Sequence, residues 1–240
     1  MKVTEGNTVK LSQVDEDLRI GDRTTIECVG EGNSLKVEGE IRCEGRVRFT
    51  GSVSCTSFRG DDCKISTGSL STDSLAIRDG SLEVSGDLTS QSIDVDKQLS
   101  VSGRTEADQI EVGGTLDLSS AKARTIEVGG KFRSSSDVEA EEIDVGGTVE
   151  IKGKIKGRSL DVGGKALLSG GEISGRIDVG GVFETSGELK FGDIDVGGII
   201  ILGGKSIGRT IEVGGKLHAR GDLGFKRLEV GGIADVEGKA

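Results

Sequence analysis

Residues 177–198 read IDVGGVFETSGELKFGDIDVGG, and the spacing of their apolar side chains decides the fold. Ile177 and Val179 flank Asp178, Phe183 and Thr185 flank Glu184, Leu189 and Phe191 flank Lys190, and Ile194 then starts the motif again. Side chains two positions apart share a face only in an extended chain. The spacing predicts three short strands per repeat, each turning two side chains inward and one outward.

The phrase apolar–acidic–Val–Gly–Gly begins at Ile110, Ile126, Ile143, Leu160, Ile177, Ile194, Ile211 and Leu228. The starts from Ile126 onward are evenly spaced, and the interval before Ile126 is shorter by one position. A fixed short period, here about 17 residues, marks stacked, nearly identical units. The template also runs backwards. Ile93 opens a unit with Asp96-Lys97 in place of Gly-Gly, Leu75 opens one that is longer by one position, and Phe58 and Ile41 open two more. The unit from Leu160 is weaker in its third strand. Before Ile41, pairs persist at Leu35/Val37, Ile26/Cys28, Leu18/Ile20 and Val9/Leu11 at irregular spacing, which predicts an insertion near Glu31-Gly32-Asn33.

The fold expected is all-β: one triangular parallel β-solenoid of roughly 12 to 13 turns, irregular over residues 1–40 and regular over 41–240. The Gly-Gly pairs fit its corners, where glycine adopts a positive φ cheaply and where stacked turns leave little room for a side chain.

Net charge is −10, from 41 acidic and 31 basic residues. Nucleic acid needs a clustered basic face with aromatic stacking residues, and the chain has no such stripe. No stretch approaches the ~20 apolar residues of a membrane span, and the start lacks the apolar run of a signal peptide. A cytoplasmic protein without direct membrane insertion is expected. Six Phe and no Trp or Tyr suit a thin core of Ile, Val and Leu.

Candidate chemistry is sparse. The phrase aligns Glu111, Glu127, Asp144, Asp161, Asp178, Asp195, Glu212 and Glu229, with Arg124, Arg158, Arg176, Arg209, Lys226 and Arg227 just ahead of the motif. Those cations predict a charge-balanced outer ladder rather than a column of bound divalent ions. Cys28, Cys43, Cys55 and Cys63 fall mostly on inward positions, as small apolar core residues. His218 falls outward between Leu217 and Ala219. No loop is long enough to build a substrate pocket, so no catalytic, cofactor or metal residue is expected and the chain does not read as an enzyme.

The run from Ile143 to Gly147, followed by Thr148-Val149-Glu150-Ile151-Lys152-Gly153-Lys154-Ile155-Lys156-Gly157, resembles the bactofilins in its short strands and glycine corners. The resemblance implies a right-handed triangular β-helix that polymerises end to end, without nucleotide, into apolar filaments serving as scaffolds for cell shape or protein positioning. It also implies a homopolymer, with other recruited proteins as further partners. The expected polymerisation residues are Val9, Leu11, Leu18 and Ile20 in the first turns and Phe225, Ile233, Ala234 and Val236 in the last. Exposed strand edges at a solenoid end template association, and solenoids that stay single need polar caps. A non-polymerising scaffold or adaptor subunit that binds a protein partner is the alternative, with a β-helix enzyme or cation-binding solenoid behind it.

Overall fold

The computed structural model describes residues 1–3 and 5–240, and among them it contains strands and no helix. Parallel strands stacked about 17 residues apart form a β-solenoid of about 14 turns, slightly more than the sequence spacing suggested. Two compact units, Met1–Ser119 and Ser120–Ala240, divide the chain. The irregular turns before Ile41 belong to the first.

In the second unit the inward pairs are those of the template. Ile177, Val179, Phe183, Thr185 and Leu189 are all at most 1% exposed. Each residue lies over its equivalent one turn away: Leu160, Ile177, Ile194, Ile211 and Leu228 pair in sequence. The core is therefore a set of columns, each neighbour about 4.8 Å from the next. Full burial of an Ile or Val side chain stabilises by roughly 1.5–3 kcal/mol, and the columns repeat that gain at every turn. The weak third strand of the Leu160 unit has a visible cause. Gly171, at φ +139°, takes the place in line between Ile155 and Leu189. The ladder slips there and recovers at Arg176, which pairs with Ser159 on one side and Asp193 on the other.

The first unit keeps the columns while absorbing insertions. Val3 pairs with Ile20, one regular period along the chain, but Leu18 pairs with Ile41 across a longer stretch. The added segment lies between Cys28 and Leu35, where the sequence pattern placed it. It closes on itself: the Asn33 N–H donates to the Gly30 carbonyl at 3.0 Å, and the Gly30 N–H donates to the Ser34 carbonyl at 2.9 Å. Asn33 takes a left-handed conformation at φ 61°, which Asn tolerates better than most residues. A second irregularity falls at Asp62, at φ 43°, where the register steps between Glu44 and Gly45.

The corner glycines are present for one of the two expected reasons. None of the Gly-Gly pairs that close the apolar–acidic–Val phrase has a positive φ; among the described glycines only Gly6, Gly32, Gly45, Gly170 and Gly171 do. The pairs are required by stacking. A Cβ on Gly164 would sit 2.6 Å from the carbonyl oxygen of Gly147, and one on Gly181 would sit 2.6 Å from that of Gly164. The left-handed expectation for these corners is therefore corrected.

Another corner device escaped the sequence reading. Asp137 Oδ1 accepts the Lys154 N–H at 2.7 Å, Asp222 Oδ1 accepts that of Lys239 at 3.0 Å, and in the first unit Asp87 Oδ1 accepts that of Arg104 at 2.8 Å. Asp17 does the same for Glu40 and Asp22 for Arg46. Glycine precedes every one of these donors: Gly153, Gly238, Gly103, Gly39 and Gly45. A Cβ on Gly153 would lie 2.5 Å from Asp137 Oδ1, so the glycine makes room for the carboxylate of the adjacent turn. A carboxylate accepting a backbone N–H is a charge-assisted bond. At Asp22 the Arg46 N–H is the main influence holding the carboxyl below the usual range.

Two inward hydroxyls, Thr105 Oγ1 and Thr185 Oγ1, are buried without a hydrogen-bond partner among the described residues. Leaving a hydroxyl unpaired in an apolar core costs about 1–3 kcal/mol. Thr185→Val keeps the shape and removes the hydroxyl, so we expect a gain of about 1 kcal/mol by that principle, read as a higher denaturation midpoint. An unchanged or lower midpoint would show that the hydroxyl is satisfied in solution.

Candidate self-association surface

Every wall buries one face and exposes the other, so the exceptional surfaces are the outer edges of the terminal turns. In the second unit, Arg227–Val230 pairs with Thr210–Val213, and Ile233–Val236 pairs with Lys216–Ala219. Neither strand has a partner on its other edge among the described residues. Leu228, Val230 and Val236 continue inward columns but are only half-buried, because none of the described residues covers them. Ala234 is exposed. Phe225 is 36% exposed, although the template made it an inward residue.

Ile233 is 60% exposed for another reason. It stands in line with Lys216 and Ile199, on the outward side of its wall. Its exposure is that of an outer face, not of the stacking surface, which corrects its place among the end-contact residues.

In the first unit, Lys2–Val3 pairs with Leu18–Ile20, and Thr8–Leu11 pairs with Thr24–Cys28. Val9 and Leu11 are half-buried and belong to the open edge. Leu18 and Ile20 do not. They are 0% and 2% exposed, because the strand Lys2–Val3 lies over them and the Arg19 N–H donates to the Met1 carbonyl at 2.9 Å. The sequence reading counted Leu18 as an end residue because Met1-Lys2-Val3 is too short to register as a pair. Met1, 41% exposed, is the residue that stands there.

The outward carboxylate column exists in the expected register: Asp144, Asp161, Asp178, Asp195, Glu212 and Glu229 follow one another. It is balanced by arginine. Arg176 bonds Asp178 at 2.6 Å and Asp195 at 3.1 Å. Arg227 bonds Glu229 at 2.9 Å, whereas Arg158 and Arg209 pair with Glu142 and Asp193, which lie outside the column. The Arg209 contact is the main influence holding the Asp193 carboxyl below its usual range. Exposed pairs of this kind contribute about 0–1 kcal/mol each.

The four cysteines are free and buried. Burial pushes the Cys43 thiol well up and those of Cys55 and Cys63 to about 11. Thiolate chemistry needs the opposite environment. Cys43 lies at the floor of an open groove of about 390 Å³ whose rim is Arg42, Glu44, Arg59, Asp61 and Arg78.

His218 is outward, as expected, but it has company. Its Nδ1 lies 3.1 Å from Asp235 Oδ2, and its Nε2 lies 3.5 Å from Glu237 Oε1. The three form a donor set of the kind that can take a divalent cation. The sequence reading missed the cluster because Asp235 meets His218 only through the register between adjacent turns.

No family model, curated protein or solved structure matches the chain.

Proposed function

We propose that this chain is a structural subunit that associates with copies of itself through the outer edges of its first and last turns, forming nucleotide-independent filaments that act as a scaffold. The observation that carries this reading is the pair of parallel strand edges without a further partner among the described residues. Lys2–Val3 and Thr8–Leu11 expose one, and Arg227–Val230 and Ile233–Val236 the other, with half-buried Val9, Leu11, Leu228, Val230 and Val236 beside them. An unpaired strand edge beside apolar side chains is a template for a further strand. The likeness of repeat style to the bactofilins favours the same reading. The shallow groove, the high thiol pKa values and the arginine-balanced carboxylates support structure over chemistry.

Val236→Arg places a charge in the last open column without disturbing a covered residue. Sedimentation velocity of the wild type should show assemblies that grow with concentration, without added nucleotide. The variant should sediment as a single short species with an unchanged circular dichroism spectrum. Assemblies of unchanged size in the variant would refute end-on association. A wild type that stays monodisperse at every concentration would favour an adaptor that binds another protein.

A further inference from the structure

The second unit brings the chain's single histidine against two carboxylates that no arginine neutralises. On the wall that carries Ile199 and Lys216, one outward place is held in consecutive register by Glu150, Leu167, Glu184, Ile201, His218 and Asp235. The carboxylate column of the repeated phrase meets its excess charge with arginine. Asp235 and Glu237 have no ion pair with arginine or lysine among the described residues, and the imidazole is their one partner of this kind.

Backbone pairing assembles the group. Asp235 and Glu237 are two positions apart, so in an extended chain they share the outward face while Val236 turns inward. Asp235 lies directly across from His218 in the adjacent strand, at about the 4.8 Å strand spacing. The ladder runs on to Glu237, whose N–H donates to the Ala219 carbonyl at 2.8 Å. Its backbone is therefore fixed on the turn that carries His218. The imidazole is 30% exposed, against 64% and 57% for the two carboxylates, so the ring is the held member and the acids can adjust to an ion.

The two ring nitrogens have different surroundings. Nδ1 lies 3.1 Å from Asp235 Oδ2, within hydrogen-bond range. Nε2 lies 3.5 Å from Glu237 Oε1, and an N–H···O bond spans only about 2.7–3.2 Å. Donors bonded to one tetrahedral zinc ion at about 2.0–2.2 Å stand about 3.4 Å apart, so the second contact has the separation of two metal ligands.

We propose that His218 Nε2 and the Glu237 carboxylate bind a divalent ion of the zinc, nickel and copper class, with Asp235 as the positioning residue. When Nδ1–H donates to Asp235, the lone pair on Nε2 faces the ion. An outer carboxylate bonded to a ligating histidine fixes its tautomer and ring orientation in this way. The two carboxylates carry two negative charges beside a neutral imidazole, and a divalent ion cancels them. An imidazole ligand selects against magnesium and calcium, which take oxygen donors. Water fills the remaining positions. All three side chains lie on the outward face of two adjacent turns, so the ion staples one turn to the next independently of self-association.

Zinc chloride titrated into the full chain tests the site by calorimetry and by solid-state NMR of nitrogen-15-labelled histidine, which reads assembled and unassembled protein alike. The single histidine makes its ring signals unambiguous, and the thiols are buried. One ion should bind per chain, moving the Nε2 resonance and leaving Nδ1 protonated. His218→Ala and Glu237→Gln should each remove the saturable heat while leaving the circular dichroism spectrum unchanged. Asp235→Asn should weaken binding by about tenfold or more and mix the two ring tautomers, which a merely structural role would not do. Magnesium chloride should give no saturable heat. A wild type without saturable zinc binding, or zinc bound equally well by His218→Ala, would overturn the site. Magnesium binding as tight as zinc would overturn the class of ion. A metal-induced shift at Nδ1 in place of Nε2, or unchanged affinity in Asp235→Asn, would overturn the role given to Asp235.

Discussion

Gly181→Ala should lower stability by about 3 kcal/mol, the upper end of the usual cost of inserting a methyl group into a packed site. The added Cβ would meet the Gly164 carbonyl oxygen at 2.6 Å, and the Gly164 N–H is itself held on the far side, donating to the Gly147 carbonyl at 3.0 Å. The Val182 N–H donates to the Gly164 carbonyl at 3.1 Å and the Gly181 N–H donates to it at 3.0 Å. Neither partner can retreat without lengthening a ladder bond. The companion variant Gly181→Asn separates two explanations of the corner. Were glycine needed for a left-handed backbone, Asn would be the milder substitution, because Asn tolerates that region. Since φ is not positive here, Asn should cost at least as much as Ala. Denaturant titration of the two variants decides the matter, and a milder Asn would contradict the stacking account.

The chain contains its own control. At the corner occupied by Asp96-Lys97 two side chains stand where other turns have Gly-Gly. The adjacent turn carries an additional residue, Asp79, in a left-handed conformation at φ 48°. Its N–H donates to Asp96 Oδ2 at 2.8 Å, and Lys97 Nζ donates to its carbonyl at 2.7 Å. Side chains are thus tolerated at a corner whose neighbour is longer. The wider spacing between Leu75 and Ile93 already recorded that accommodation.

What could be read from the residues alone follows from how far each signal reaches. Inward and outward alternation is local, so the three walls, the buried cysteines and the outward His218 were legible residue by residue. The carboxylate column was legible because its members share a motif. Features that depend on what lies one turn away were harder. Asp137 looks like any exposed acid until the register between turns brings Lys154 over it. Leu18 looks like an end residue until Lys2–Val3 is seen to cover its neighbours. The basic residues Arg19, Arg42 and Arg59 precede Ala76 and Asp94 in the same register, but they sit in units that lack the motif, so the column was followed only through its acidic members. The left-handed reading of the glycine corners failed because a solenoid corner spreads its turn over several residues, leaving contact with the next turn as the tighter constraint.

The same translational register makes a second strong prediction. Phe183 is fully buried, with Ala166 on one side and Ile200 on the other in the same column. The small alanine leaves space that the ring fills, so large and small residues alternate where the strand spacing cannot. Phe183→Ala would put two alanines side by side, and the backbone cannot close the gap because strand spacing is set by the ladder. The loss should therefore fall at about 4–5 kcal/mol, the high end of the range for Phe to Ala. Moving the ring by one turn tests whether the columns are interchangeable. In Phe183→Ala with Ala166→Phe, the new ring has Val149 on one side and the alanine introduced at 183 on the other, so it again has one small neighbour. The double variant should recover more than half of the stability lost by Phe183→Ala alone, as contacting positions are strongly non-additive. A double variant no more stable than the single one would mean that each turn has its own side-chain fit, and that repetition of the backbone does not extend to the core.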